Sequence, residues 1–176
     1  MSEAPRSPRE GGCLCGAQRY RIDWQAVLTV YCCHCRDCQR ESSSAFAISL
    51  VLPAAAFTPL RGDPHRAPRR ADSGREIHSY FCGGCGTHLF ARIPDLPDLV
   101  VLKAGTLDDT RGLDPVAQFW TSRKQDWVTL PAGQLVDPRQ PDGFDEVVAR
   151  YREARARDAE RRSAGDRNRR SPNPGS

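Results

Sequence analysis

The chain has 176 residues, 39% of them hydrophobic, a mean hydropathy of −0.60 and a formal charge of +4. That length suits one domain with a modest core, to which bound metal can add stability. No apolar run is long enough to cross a bilayer, and the excess charge is divided evenly between residues 1–136 and 137–176, too thinly to imply a nucleic-acid partner.

In chain order, residues 1–10 are polar, lack the apolar stretch of a secretory signal and read as a disordered leader. Without export the cysteines stay reduced, and the cytoplasm is the expected compartment. From Gly11 to about Leu130, short apolar or alternating runs are broken by Gly, Pro and Asp. They predict strands over residues 19–22, 28–33, 45–52, 76–81, 88–92, 99–103, 116–121 and 127–130. Pro53 with Phe57-Thr58-Pro59 marks a turn, and residues 61–74 read as a polar loop rich in Arg and Pro. Close spacing without long helical periods makes residues 11–136 an all-β domain of short antiparallel strands. Residues 137–176 differ in composition. Phe144, Val147, Val148 and Tyr151 keep helical spacing, and Glu146/Arg150 and Glu153/Arg157 are i,i+4 pairs. These predict a C-terminal helix over residues 144–162, followed by a disordered tail over 163–176.

Seven of the eight cysteines fall in three tight clusters: Cys13-Leu14-Cys15, Cys33-His34-Cys35-Arg36-Asp37-Cys38 and Cys82-Gly83-Gly84-Cys85. Thiols this close in sequence converge on a small cation more readily than they close a strained disulfide ring, and zinc accepts four thiolates in a tetrahedron. Gly16 and Gly86 follow the first and third pairs. Glycine lets the chain double back there, so that backbone N–H groups point at the sulfurs. Two such knuckles make one closed four-thiolate site from Cys13, Cys15, Cys82 and Cys85, with a structural role. In the middle cluster, Cys33 and Cys35 share one side of an extended chain, Cys32 faces the other, and Cys38 returns through a turn at Arg36-Asp37. Three thiolates leave a position for water or a substrate thiol. On spacing alone, a second closed site completed by Cys32, His34 or His88 stands beside that reading.

Four stretches resemble the glutathione-dependent formaldehyde-activating enzyme family over roughly residues 11–130. They are Gly12-Cys-Leu-Cys-Gly16 with Ala17-Gln-Arg-Tyr20, Cys33-His-Cys-Arg-Asp-Cys-Gln-Arg40 with Ser43-Ser-Ala-Phe46, Phe81-Cys-Gly-Gly-Cys-Gly-Thr-His-Leu-Phe90, and Lys103-Ala-Gly-Thr-Leu-Asp-Asp109 on to Trp127. The resemblance implies a β-tent fold and two zinc ions per chain: a structural one on Cys13, Cys15, Cys82 and Cys85, and a catalytic one on Cys33, Cys35 and Cys38. It also implies a carbon–sulfur lyase run in reverse, joining formaldehyde to glutathione as S-hydroxymethylglutathione. The expected partner is therefore a small-molecule thiol such as glutathione. Arg36, Arg40, Arg123 and Lys124 are candidates to meet its carboxylates, while His34 and His88 carry no assigned role. Ser43, Gln118 and Asp126 depart from the family's usual glycine, histidine and proline, and none of these removes a zinc ligand. The domain also occurs in the vertebrate centromere protein V. The alternative is thus a non-catalytic zinc-built module, either a glutathione carrier or an interaction domain using Arg161, Arg162, Arg167, Arg169 and Arg170. A third reading is a redox switch that pairs Cys32 with a labile cluster thiol.

Overall fold

The computed structural model describes the backbone of residues 8–170 and the side chains of residues 8–161. Its elements are β1 (Arg9–Gly12), β2 (Arg19–Ile22), β3 (Thr29–Cys33), α1 (Arg36–Ser42), β4 (Ala47–Pro53), β5 (Phe57–Arg61), β6 (His65–Arg70), β7 (Glu76–Phe81), β8 (His88–Arg92), β9 (Leu99–Lys103), β10 (Ala117–Phe119), β11 (Leu135–Val136) and α2 (Asp145–Arg170). The fold is mostly β, with one long C-terminal helix. A three-stranded sheet, β1-β2-β5, lies beside an eight-stranded sheet in the order β11-β10-β3-β4-β9-β8-β7-β6. No helix among the described residues is long and apolar enough to cross a membrane.

Strand alternation gives the large sheet two different faces. Val30, Leu50, Leu102 and Phe90 are register partners along one row and are all buried. They face the small sheet, whose Tyr20, Ile22 and Phe57 join the same core. The Phe57 ring sits 4.9 Å from Phe90 and 5.4 Å from Tyr20. The other face carries two further rows, Tyr31–Ser49–Lys103 and Thr29–Val51–Val101–Ala91. These rows form the floor of a cavity. Buried Val147 and Tyr151 seat α2 on the body of the domain, and the Arg155 guanidinium donates to Trp24 O at 3.1 Å.

Several expectations are corrected. Pairing is not uniformly antiparallel, since β10 runs parallel to both β3 and β11. Residues 127–130 form no strand; Asp126 and Trp127 are a turn, Trp127 is 73% exposed and Val128 alone in that stretch is buried. The loop expected over 61–74 contains β6, an exposed edge strand pairing with β7, and an edge position is where Pro68 is tolerated. The turn expected at Phe57-Thr58-Pro59 lies within β5. Arg36-Asp37 opens a helix rather than making a turn. Arg9 and Glu10, assigned to the leader, are in β1, where they pair with Ile22 and Arg21. The C-terminal helix runs to Arg170, past the expected end at residue 162. Residues 1–7 of the leader, residues 171–176 of the tail, and the side chains of Arg162, Arg167, Arg169 and Arg170 lie outside the described residues.

Candidate metal centres

The first cysteine centre is built by two hairpin turns from different sheets. Cys13 and Cys15 lie between β1 and β2, and Cys82 and Cys85 between β7 and β8. Their four Sγ atoms all lie within 4.8 Å of one another. Cys13 Sγ is 3.5 Å from Cys15 Sγ, which is 3.7 Å from Cys82 Sγ. Tetrahedral zinc–sulfur bonds of about 2.3 Å place sulfurs about 3.8 Å apart, so this spacing fits the ion. All eight cysteines are free thiols. Gly16 (φ +73°) and Gly86 (φ +72°) adopt the left-handed conformation that each knuckle needs. Gln18 N–H then donates to Cys13 Sγ at 3.2 Å.

Thr87 ties the two knuckles together, a role that nothing in the cysteine spacing signals. Its Oγ1 accepts from Leu14 N at 3.1 Å and lies 3.2 Å from Cys85 Sγ. The Thr87 hydroxyl and backbone N–H bring the Cys85 thiol down to about 5, so this sulfur is poised as a thiolate.

The second centre comes from a short continuous stretch. Cys33 ends β3, Cys35 caps α1, and Cys38 lies in the first turn of α1; their three sulfurs also lie within 4.8 Å of one another. Cys35 Sγ accepts from Cys38 N at 3.3 Å. Hydrogen bonds from Cys33 and Cys38 hold the Cys35 thiol well below its ordinary range, while the same contact with Cys35 pushes Cys33 well above it. Three sulfurs this close cannot all ionise without a cation between them, and the set fits one. Either cluster could hold a metal ion.

Cys32, His34 and His88 do not join the second centre. Cys32 pairs across the sheet with Ile48 and Gln118, and burial pushes its thiol up to about 11. His34 is fully buried and donates from Nε2 to Gln118 Oε1 at 2.7 Å; Gln118 Nε2 in turn donates to Gln134 Oε1 at 2.6 Å. Gln118, one of the departures from the family pattern, is thus the partner that fixes the His34 ring. His88 directs Nδ1 to Glu41 Oε2 at 3.3 Å and donates from Nε2 to Phe90 O at 3.2 Å. Ser43 caps α1 at φ +48°, a conformation that suits the family's usual glycine better.

The structure adds groups that the sequence reading missed. The cavity above the large sheet, about 170 Å³, is lined by Cys33, Cys35 and Cys38 together with Tyr31, Ser49 and Lys103. Burial holds the Tyr31 hydroxyl far above its ordinary value. Beneath α1, Glu41 accepts from Ser79 Oγ (3.0 Å), Arg69 Nε (3.1 Å) and Lys103 Nζ (3.3 Å). Burial alone would raise this carboxyl, but His88, Lys103 and Arg69 overcome it and hold Glu41 well below the usual carboxylate range. Tyr31 shares strand parity with Cys33, a signal that was available; Ser49, Lys103 and Glu41 come from other segments and gave none.

The arginine and lysine candidates are mostly engaged elsewhere. Arg123 pairs with Asp72 at 2.7 Å, Arg36 donates to Gln39 Oε1 at 2.5 Å, and Lys124 Nζ donates to Gln125 O at 3.4 Å. Arg36 and Arg40 line a separate open depression beside Trp127.

A family model described as "Glutathione-dependent formaldehyde-activating enzyme" matches residues 8–123. A Halomonas elongata protein, provisionally named as a glutathione-dependent formaldehyde-activating enzyme, is 28% identical over 128 residues, which cover 69% of this chain and 80% of that protein. A crystal structure of a Rhodobacter sphaeroides protein is similar at a TM-score of 0.45 and 20% identity, covering 60% of this chain and 91% of that one.

Proposed function

The chain belongs to the glutathione-dependent formaldehyde-activating enzyme family, and from that membership we propose a zinc-dependent carbon–sulfur lyase that works on a small thiol and its adduct with formaldehyde or another small aldehyde. Cys13, Cys15, Cys82 and Cys85 hold a closed, structural zinc, and Cys33, Cys35 and Cys38 hold an open, reactive one. The observation that carries this reading is that the three-sulfur set lines a cavity large enough for a small molecule. Cysteines kept as free thiols for metal suit a reducing compartment such as the cytoplasm.

Cys33, Cys35 and Cys38 would hold the zinc ion, which would supply positive charge that favours the ionised form of an incoming thiol. The protein's own groups define the rest. The Cys38 N–H bond to Cys35 Sγ orients one ligand, and Lys103 brings positive charge toward Cys38. Glu41 pins Lys103 in place from α1. Tyr31, kept protonated by burial, and Ser49 present hydroxyls on the cavity floor for the adduct's oxygen. In the synthetic direction the sulfur–carbon bond forms as the thiol proton passes to the carbonyl oxygen, and the lyase direction reverses both changes.

Calorimetry on zinc-loaded protein tests the site. Glutathione binds and its S-methyl derivative binds at least about tenfold more weakly, because the methyl group blocks thiolate formation. Cys35→Ala removes glutathione binding. Equal affinity for the two ligands sinks the open-site assignment. Turnover of S-hydroxymethylglutathione above the uncatalysed rate then makes the protein an enzyme, whereas binding without turnover makes it a thiol carrier.

A further inference from the structure

The cavity beside Cys33, Cys35 and Cys38 has walls poorly suited to a polar tripeptide. Beyond the sulfurs and the hydroxyl-bearing Thr29, Tyr31 and Ser49, its floor and sides are Val51, Ile77, Ala91 and Val101, and Phe144, just before α2, and Val148, on it, close the cavity. Of the cations lining it, Arg69 is bonded to Asp37 and Glu41, and Lys103 to Glu41. Arg75 sits at the exposed rim, and Asp37 and Asp72 add negative charge to the lining. The two carboxylates of glutathione would therefore enter a space where the inner cations are already taken and Arg75 at the rim is left to offset their desolvation. The volume points the same way. An apolar cavity of roughly 150 Å³ accommodates one benzene, and this one measures about 170 Å³.

The closing wall also belongs to this chain's own sequence. The family match ends at residue 123, whereas Phe144, just before α2, and Val148, on it, lie beyond that point. Both are half-buried. The Phe144 ring packs 5.7 Å from Tyr31, which stands two residues before Cys33 on the same strand.

We infer that this cavity selects a small thiol whose sulfur carries a compact apolar group, aliphatic or aromatic, in preference to glutathione. The inference rests on the open three-cysteine centre proposed above and names the substrate class of that same site. Burial of each additional methylene tightens binding about fourfold, from about 0.8 kcal/mol per group, until the cavity is full. The sulfur is directed to the three cysteines and the apolar group to Val51, Val101 and Val148.

The test uses full-length protein with cobalt in place of zinc, titrated with ethanethiol, butanethiol, benzyl mercaptan and glutathione while the sulfur-to-cobalt absorption is read. Benzyl mercaptan is expected to bind at least about tenfold tighter than glutathione, and butanethiol at least about tenfold tighter than ethanethiol. Val148→Asp weakens benzyl mercaptan at least about tenfold, because a carboxylate then faces the ring, and leaves ethanethiol within about twofold. Should that variant fail to fold, Phe144→Ala serves instead and weakens benzyl mercaptan about fivefold by removing wall contacts. Glutathione binding as tightly as benzyl mercaptan, or lid variants leaving every affinity unchanged, overturns the inference while the open centre stands. Absorption indifferent to every thiol overturns the open centre itself.

Discussion

The two cysteine centres use the same side chain to opposite ends. The four-sulfur centre joins hairpin turns of two different sheets, and the contact between Cys15 and Cys82 spans 67 positions of chain. The three-sulfur centre is contained in residues 33–38, at the junction of a core strand and a short helix, and lines a cavity. Cross-linking distant segments removes much loop entropy from the unfolded chain, on the order of 4 kcal/mol for a span of this size, whereas cross-linking near neighbours removes far less. With metal bound, distance in sequence would make one centre a staple. Locality would free the other to meet a ligand without holding the domain together.

Substitution at the staple gives the largest effect. Cys82→Ser, which opens the four-sulfur set, is expected to abolish cooperative unfolding or lower the melting temperature by more than about 10 °C. Cys35→Ala leaves melting within a few degrees, and a gentle chelator strips metal from the wild-type three-sulfur centre first with the fold intact. Calorimetric scans of both variants decide the matter, and equal unfolding in the two erases the distinction.

An intermediate effect belongs to the support beneath the open centre. Glu41→Gln leaves Arg69, Lys103 and His88 facing one another without their shared anion. With the Glu41 side chain 20% exposed, the loss is about 2 kcal/mol at pH 7 by denaturant unfolding, less than for a fully buried pair. The Glu41 carboxyl is held below its unfolded value, so its stabilisation is complete above an unfolded pKa of about 4.3 and is lost as pH falls further. The gap between wild type and variant therefore narrows in acid. A gap independent of pH would mean that the Glu41 charge is not what stabilises α1.

The smallest expected change is at Thr87. Thr87→Val removes the acceptor for Leu14 N and the hydroxyl beside Cys85, costing about 1 kcal/mol and loosening the first zinc without displacing it. Competition with a chromogenic chelator measures that loosening. An unchanged zinc affinity would show that the sulfurs alone define the staple.

What the sequence disclosed follows from how local each signal is. β2, β7, β8 and β9 were readable to the residue because their alternation or apolar content lies within the strand. β6 was not, because an edge strand reading His65-Arg-Ala-Pro-Arg-Arg70 buries little and resembles a loop. The parallel pairing of β10 depends on partners far away in the chain. α1 has only seven residues and is capped by a cysteine sulfur, a signal that spacing rules do not contain. The cysteine groupings were legible because thiols a few positions apart must converge. The cavity was not, because its floor takes one or two residues from each of several strands and its lid comes from Phe144 and α2.

The claim that one centre is closed and the other open is tested most directly by X-ray absorption at the zinc edge of the fully loaded protein. Seven cysteine sulfurs shared by two ions predict an average of about 3.5 sulfurs per zinc. That average rises to about 4 when a thiol is added, and Cys32→Ala leaves both values unchanged. An average of 4 without added thiol, falling in Cys32→Ala, would show that Cys32 closes the second centre and would contradict the account.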